Sequence, residues 1–105
     1  MPRYAFIYRG GDTFETPEDG AAYMEKWRAW AASLGAAYVI PGMPFRATAT
    51  VDGAGVSAGP RDPRLSGFSV VEADDIAAAQ AMAQRCPHVA IGGDIVVAEG
   101  MDMEM

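Results

Sequence analysis

The first strand-like segment, Arg3-Tyr4-Ala5-Phe6-Ile7-Tyr8-Arg9, carries apolar side chains on both of its sides. Successive side chains of an extended backbone point to opposite faces, so Tyr4, Phe6 and Tyr8 share one face while Ala5 and Ile7 share the other. A strand of this kind is stable only when both faces are covered, which obliges the chain to supply or recruit two layers of cover for one sheet. The same demand returns late in the chain, where Phe68 and Val70 oppose Ser69 and Val71, and Ile95 and Val97 oppose Val96 and Ala98.

Two segments offer helical cover. Thr16-Pro17-Glu18-Asp19 combines an N-cap hydroxyl, proline at the first helical position and acids in the first turn. From there Tyr23, Trp27, Trp30 and Leu34 form one stripe of a 3.6-residue helix that Gly35 stops. The rings of Trp27 and Trp30 are read as packing. Asp74 is expected to cap a second helix from Asp75 to about Arg85, with the stripe Ile76, Ala79, Ala83 and Cys86, ended by Pro87.

Between and after the helices lie the remaining strands. Tyr38-Val39-Ile40 is closed by Pro41-Gly42, Arg46 to Val51 alternates, and Val56 to Ala58 forms a short extra strand beyond the turn Asp52-Gly53-Ala54-Gly55. The segment Gly59-Pro60-Arg61-Asp62-Pro63-Arg64 reads as a loop, Gly67 to Glu72 as a strand, and Asp94 to Glu99 as the last strand, followed by a loose tail from Met101 to Met105. The resulting order, β-α-β-β-α-β with an added hairpin, predicts a ferredoxin-like α+β sandwich in one domain spanning residues 1–105. In that fold both helices pack on one face of the sheet. The second apolar face therefore predicts a homodimer whose sheets cover each other.

The chemistry available is narrow. Eight basic and fourteen acidic residues give a net charge of -6, which repels nucleic-acid phosphates and anionic membranes. No apolar run approaches the ~18 residues of a membrane span, and the first residues lack a signal-peptide pattern, so a cytoplasmic location is expected. One histidine and one cysteine make a zinc site improbable, and no cofactor is expected. Cys86 reads as a buried structural thiol. Gly53-Ala54-Gly55 to Gly59 lacks the lysine and the following helix of a phosphate loop.

Five residues stand out as site candidates. His88 alone has an ordinary pKa near neutrality, which suits acid-base catalysis, although a histidine at a helix end also serves to bond a backbone carbonyl. Asp62 could orient that histidine or accept a proton, or could start a turn. Arg46 and Arg64 could grip the carboxylate of a small acid, or remain solvated. Tyr8 could line a pocket for a flat ligand.

The strand Tyr4 to Tyr8, the helix end Leu34-Gly35, the turn Gly42-Met43-Pro44-Phe45, the run Gly67 to Asp75, and Cys86-Pro87-His88 followed by Gly92-Gly93 and Ile95-Val96-Val97 resemble the YCII-related proteins, in particular their DGPF-type branch. The resemblance implies a bacterial dimeric α+β barrel. It also implies a small-molecule role by analogy with muconolactone isomerase, with a carbonyl or phenolic ligand and cofactor-free proton transfer or lyase chemistry. His88 and Asp62 are the candidates for that chemistry. Family members pair a first-helix histidine with a loop aspartate, whereas Pro17 to Leu34 contains no histidine and the signature stretch here reads Gly59-Pro60-Arg61-Asp62-Pro63-Arg64. The alternative implied by the family is a non-catalytic dimer associated with extracytoplasmic-function sigma factor signalling.

Overall fold

The computed structural model describes residues 1–102; the far end of the expected tail lies outside them. Four strands, β1 (Arg3–Arg9), β2 (Tyr38–Pro44), β5 (Leu65–Glu72) and β6 (Asp94–Glu99), form one antiparallel sheet in the order β2-β5-β1-β6. Strands β3 (Ala49–Asp52) and β4 (Gly55–Ala58) pair with each other as a separate hairpin and, among the described residues, with no other strand. The helices are α1 (Pro17–Leu34), α2 (Ile76–Gln84) and a single turn α3 (Pro87–Ala90). This is the ferredoxin-like α+β arrangement with a hairpin inserted between its second and third core strands.

Strand alternation sorts the sheet into two faces. Tyr4, Phe6 and Tyr8 of β1 lie beside Ser69 and Val71 of β5 and point toward the helices, where all five are buried. Trp30 and Leu34 of α1, Ala79 and Ala83 of α2, and Cys86 close this core. The Phe6 and Trp30 rings stack with centroids 6.4 Å apart, and Trp30 Nε1 donates to the Met82 carbonyl at 3.0 Å, tying α1 to α2. On the opposite face Ile7 aligns with Phe68 and Val96, Ala5 with Val70 and Ala98, and Ile40 and Met43 extend the rows. Ile40, Met43 and Val96 there remain 41, 59 and 40% exposed.

Several boundaries differ from those the sequence suggests. Asp75, not Asp74, caps α2: its backbone is extended and its carboxylate accepts from Ala78 N at 2.8 Å, the N3 position of the helix. Ile76, expected in the α2 stripe, is 44% exposed. Pro87 does not merely end that helix but opens α3, where its missing N–H costs no hydrogen bond. Strand β2 does not stop at Pro41-Gly42; its register shifts there and the strand resumes. Gly42 has φ 73°, and a Cβ on it would overlap the Phe68 carbonyl, so only glycine permits the bulge. β3 starts at Ala49 rather than Arg46.

Trp27 and Trp30 are not equivalent. Trp30 is buried among α2 and the sheet, whereas Trp27 is half-buried and leans edge-on against Tyr8 at 5.1 Å. Trp30→Ala is therefore expected to lower unfolding free energy by about 3 to 5 kcal/mol, and Trp27→Ala by under about 2 kcal/mol, in urea titrations. A second expectation concerns alkaline pH. Burial pushes the Cys86 thiol up to about 12 and the Tyr23 phenol up to about 12. The unfolded chain releases these protons near their ordinary values while the folded chain holds them, so stability is full below pH ~9 and falls as pH rises toward 12. Melting temperatures measured across that window should decline, and Cys86 should resist alkylation at pH 8 until urea unfolds the chain.

Candidate functional site

A cleft of about 380 Å3 opens between α1 and the β5-β2 side of the sheet. The stripe on α1 that builds the core also builds one wall, because Tyr23 and Trp27 lie a turn or two before the fully buried Trp30. Met43 and Pro44 of β2 form the opposite wall, and Tyr8, Ser69 and His88 lie deepest. Most of the lining is apolar, which suits an organic ligand with few polar groups.

The floor is a hydrogen-bonded cluster around Ser69, which is wholly buried. Tyr8 Oη donates to Ser69 Oγ at 2.9 Å, and Ser69 Oγ in turn donates to the Pro41 carbonyl at 2.8 Å. Tyr38 Oη lies 3.1 Å from Ser69 Oγ and 3.3 Å from the same carbonyl. The β2 bulge is what turns the Pro41 carbonyl inward, and proline gives up no backbone donor by sitting there. Because its proton is committed to a carbonyl, Ser69 is held as an acceptor for the tyrosines and has no neighbouring base to make it a nucleophile. Burial pushes the Tyr8 phenol far above its ordinary range. Tyr8 is thus protonated and neutral, a wall of the cleft and a hydrogen-bond donor to Ser69.

His88 sits on α3, 4% exposed, with its ring edge-on to Tyr8 at 5.5 Å. Its Nε2 lies 2.8 Å from the Arg9 carbonyl oxygen. A carbonyl only accepts, so in the neutral ring Nε2 carries the proton and Nδ1 keeps its lone pair. Two glycines make room for the ring: a Cβ on Gly93 would overlap it, and a Cβ on Gly11 would come within 2.9 Å of Cε1 and 3.3 Å of Nδ1. Gly11 has φ 95°, a second reason for glycine at that position.

Arg64 reaches the mouth of the cleft from the loop before β5. Its Nη1 donates to the Gly10 carbonyl at 3.1 Å and Nη2 to the Gly11 carbonyl at 3.0 Å, fixing the turn that faces His88. Of the five sequence candidates, Tyr8, His88 and Arg64 line this cleft together. Asp62 is exposed in the loop two residues before Arg64 and is not on the cleft wall, and Arg46 is exposed beside a smaller neighbouring cavity. Ser69, Tyr38 and Asp12 also line the cleft and escaped the sequence reading. The alternation that puts Ser69 on the opposite side of its strand from Phe68 and Val70 was visible, but its contact with Tyr8 needs the β1-β5 register, and the inward Pro41 carbonyl depends on a bulge that Pro41-Gly42 signals only as a break.

Among the described residues no group of three or more His, Cys, Asp or Glu side chains is placed to hold a metal ion, and no helix is long and apolar enough to cross a membrane. No curated protein matches the chain. A family model does match, described as the YCII-related domain, over residues 3–99, a span that begins with β1 and ends with β6 and takes in the whole sheet, both long helices and the cleft. With nearly its entire length inside that match, the chain belongs to the YCII-related family.

Proposed function

We propose that the cleft binds a small, mainly apolar organic molecule with an oxygen function, of the phenol or carbonyl class, and that His88 moves a proton at it without a cofactor. The observation that carries this is the imidazole held on the wall of a mainly apolar cleft, with Nε2–H committed to the Arg9 carbonyl and Nδ1 without a hydrogen-bond partner among the described residues. Tyr23 and Trp27 offer flat faces to a planar ring, and the Tyr8 and Tyr38 oxygens, whose protons are engaged within the Ser69 cluster, would accept from a ligand hydroxyl. A non-catalytic binding role for the same cleft is the second reading, favoured by the absence of Asp62 from the wall that holds His88.

The apolar outer face of the sheet is the basis for a second part of the proposal: two copies of the chain pack these faces together as an isologous dimer. Ile7, Phe68, Val70 and Val96 would lie at its centre. Light scattering at micromolar concentration should give twice the chain mass, and Ile7→Glu should reduce it to one. A wild-type monomer at that concentration overturns the dimer.

The cleft is tested by a thermal-shift and tryptophan-fluorescence screen with phenols, phenolic acids and lactones. Ligands of this class should raise the melting temperature and quench Trp27, with the quench lost in Trp27→Phe. For any compound that is also turned over, His88→Gln should lower the rate at least a hundredfold, the usual worth of a positioned acid-base group. Asp62→Asn is the parallel measurement, and an equal loss there would add Asp62 to the site. If His88→Gln lowers only the melting temperature and leaves binding and turnover intact, the histidine is structural. If no compound of the panel shifts either signal, the cleft is not a site for this class.

A further inference from the structure

A second cavity, about 180 Å3, lies where the base of the β3-β4 hairpin meets the start of β5. Its walls include Arg46, Thr48, Pro60, Arg64 and Ser66, and no acidic residue is among its lining. Arg64 and Ser66 also line the main cleft, so the two spaces share a wall.

Two features of this cavity are unbalanced. Thr48 Oγ1 is buried and has no hydrogen-bond partner, the sole side-chain nitrogen or oxygen in that condition among the described residues. A desolvated hydroxyl without a partner is destabilising, so native chains rarely leave one unless a water, ion or ligand binds there. The second is charge. Arg64 is half-buried, yet its bonds run to the Gly10 and Gly11 carbonyls and the Ser66 hydroxyl, all neutral. Among the described residues neither Arg64 nor Arg46 has a carboxylate within ion-pair range; the recorded pairs are Arg3 with Glu72 and Arg9 with Asp94. In a chain of net charge -6, two arginines without an ion-pair partner among the described residues thus lie around one small cavity.

We propose that this cavity binds a small oxyanion, a carboxylate or a phosphate, with Arg46 and Arg64 supplying the charge and Thr48 the buried hydroxyl donor. The chemistry fits the donors: guanidinium groups present paired N–H donors to two oxygens of such an anion, and a hydroxyl donates to a third or bridges. The volume fits as well, since a water occupies about 30 Å3 in the liquid and the cavity is several times larger. The proposal goes beyond the main cleft and does not depend on it. The anion has two possible sources, a free inorganic ion or the carboxylate of a molecule whose body lies in the cleft beyond the shared wall.

The test uses the full chain with sodium phosphate, sodium benzoate and benzyl alcohol, each compared with sodium chloride at equal ionic strength, reading melting temperature and calorimetric affinity. Phosphate or benzoate should raise the melting temperature in a saturable way. Arg46→Gln, exposed and without a side-chain hydrogen bond in the fold, should weaken that affinity at least tenfold. Thr48→Val should weaken it too while leaving the anion-free melting temperature equal to or above wild type, because it removes an unpartnered hydroxyl. Saturation by phosphate identifies a free oxyanion; response to benzoate without response to phosphate identifies a carboxylate borne by a cleft ligand. The proposal is overturned if neither anion acts beyond chloride, if both variants respond as wild type does, or if Thr48→Val destabilises the anion-free chain. Benzyl alcohol carries no charge and reports on the cleft alone, so failure of one site is separable from failure of the other.

Discussion

Strand β1 is hydrogen-bonded on both of its edges, to β5 and to β6, and everything else in the molecule is arranged around the side chains it projects. Tyr4, Phe6 and Tyr8 leave it on the helix side, and each does a different task. Tyr4 is buried and donates to Glu99 at the margin, Phe6 stacks on Trp30 in the centre, and Tyr8 donates to Ser69 at the floor of the cleft. A single alternating strand thus runs from the core to the floor of the cleft within seven residues. A slip of one residue in its register would exchange these rings with Ala5 and Ile7 and destroy core and cleft together.

The cleft owes its form to the same helix that closes the core. Along α1 the stripe passes from Leu34 and Trp30, which are buried, to Trp27 and Tyr23, which are partly exposed. The space beside those turns is lined from the other side by residues 41–44 of β2. His88 enters from elsewhere, on the short turn α3, and depends on the glycines at 11 and 93 for room. The polar parts of the site are held chiefly by backbone carbonyls, those of Arg9, Gly10, Gly11 and Pro41, which keep the side chains oriented without adding further buried charges.

Much of this was legible in the sequence. The alternation of Tyr4 to Tyr8, the Thr16 cap and the spacing of Trp27, Trp30 and Leu34 are local signals with strong physical causes, and they contributed to the element order β-α-β-β-α-β. What could not be read was exact helix register and long-range contact. Which of two adjacent aspartates caps α2 is settled by whether a carboxylate reaches Ala78 N, a matter of helix register that Asp74-Asp75 leaves ambiguous. The position of Trp27 at a wall rather than in the core depends on the angle of α1 to the sheet, which periodicity does not encode. The meeting of His88 with the Arg9 carbonyl, and of Ser69 with that of Pro41, joins residues distant in sequence and requires the packed fold. The family match supports the overall pattern and is silent on these contacts.

The bulge in β2 has a consequence for how the molecule keeps to itself. An open sheet ends in two rows of unpaired backbone groups, and such rows invite strands from other chains to add on. On the β2 side that row is interrupted: Pro41 and Pro44 have no N–H to offer, and the register shift at Gly42 bends the backbone between them. The β6 side has no comparable interruption, since Asp94 to Glu99 pairs with β1 in unbroken register and contains no proline. The sheet is therefore polarised, closed to extension at the edge beside the cleft and open at the other. Among the described residues, a strand arriving from outside would meet continuous backbone at β6 and an interrupted row at β2.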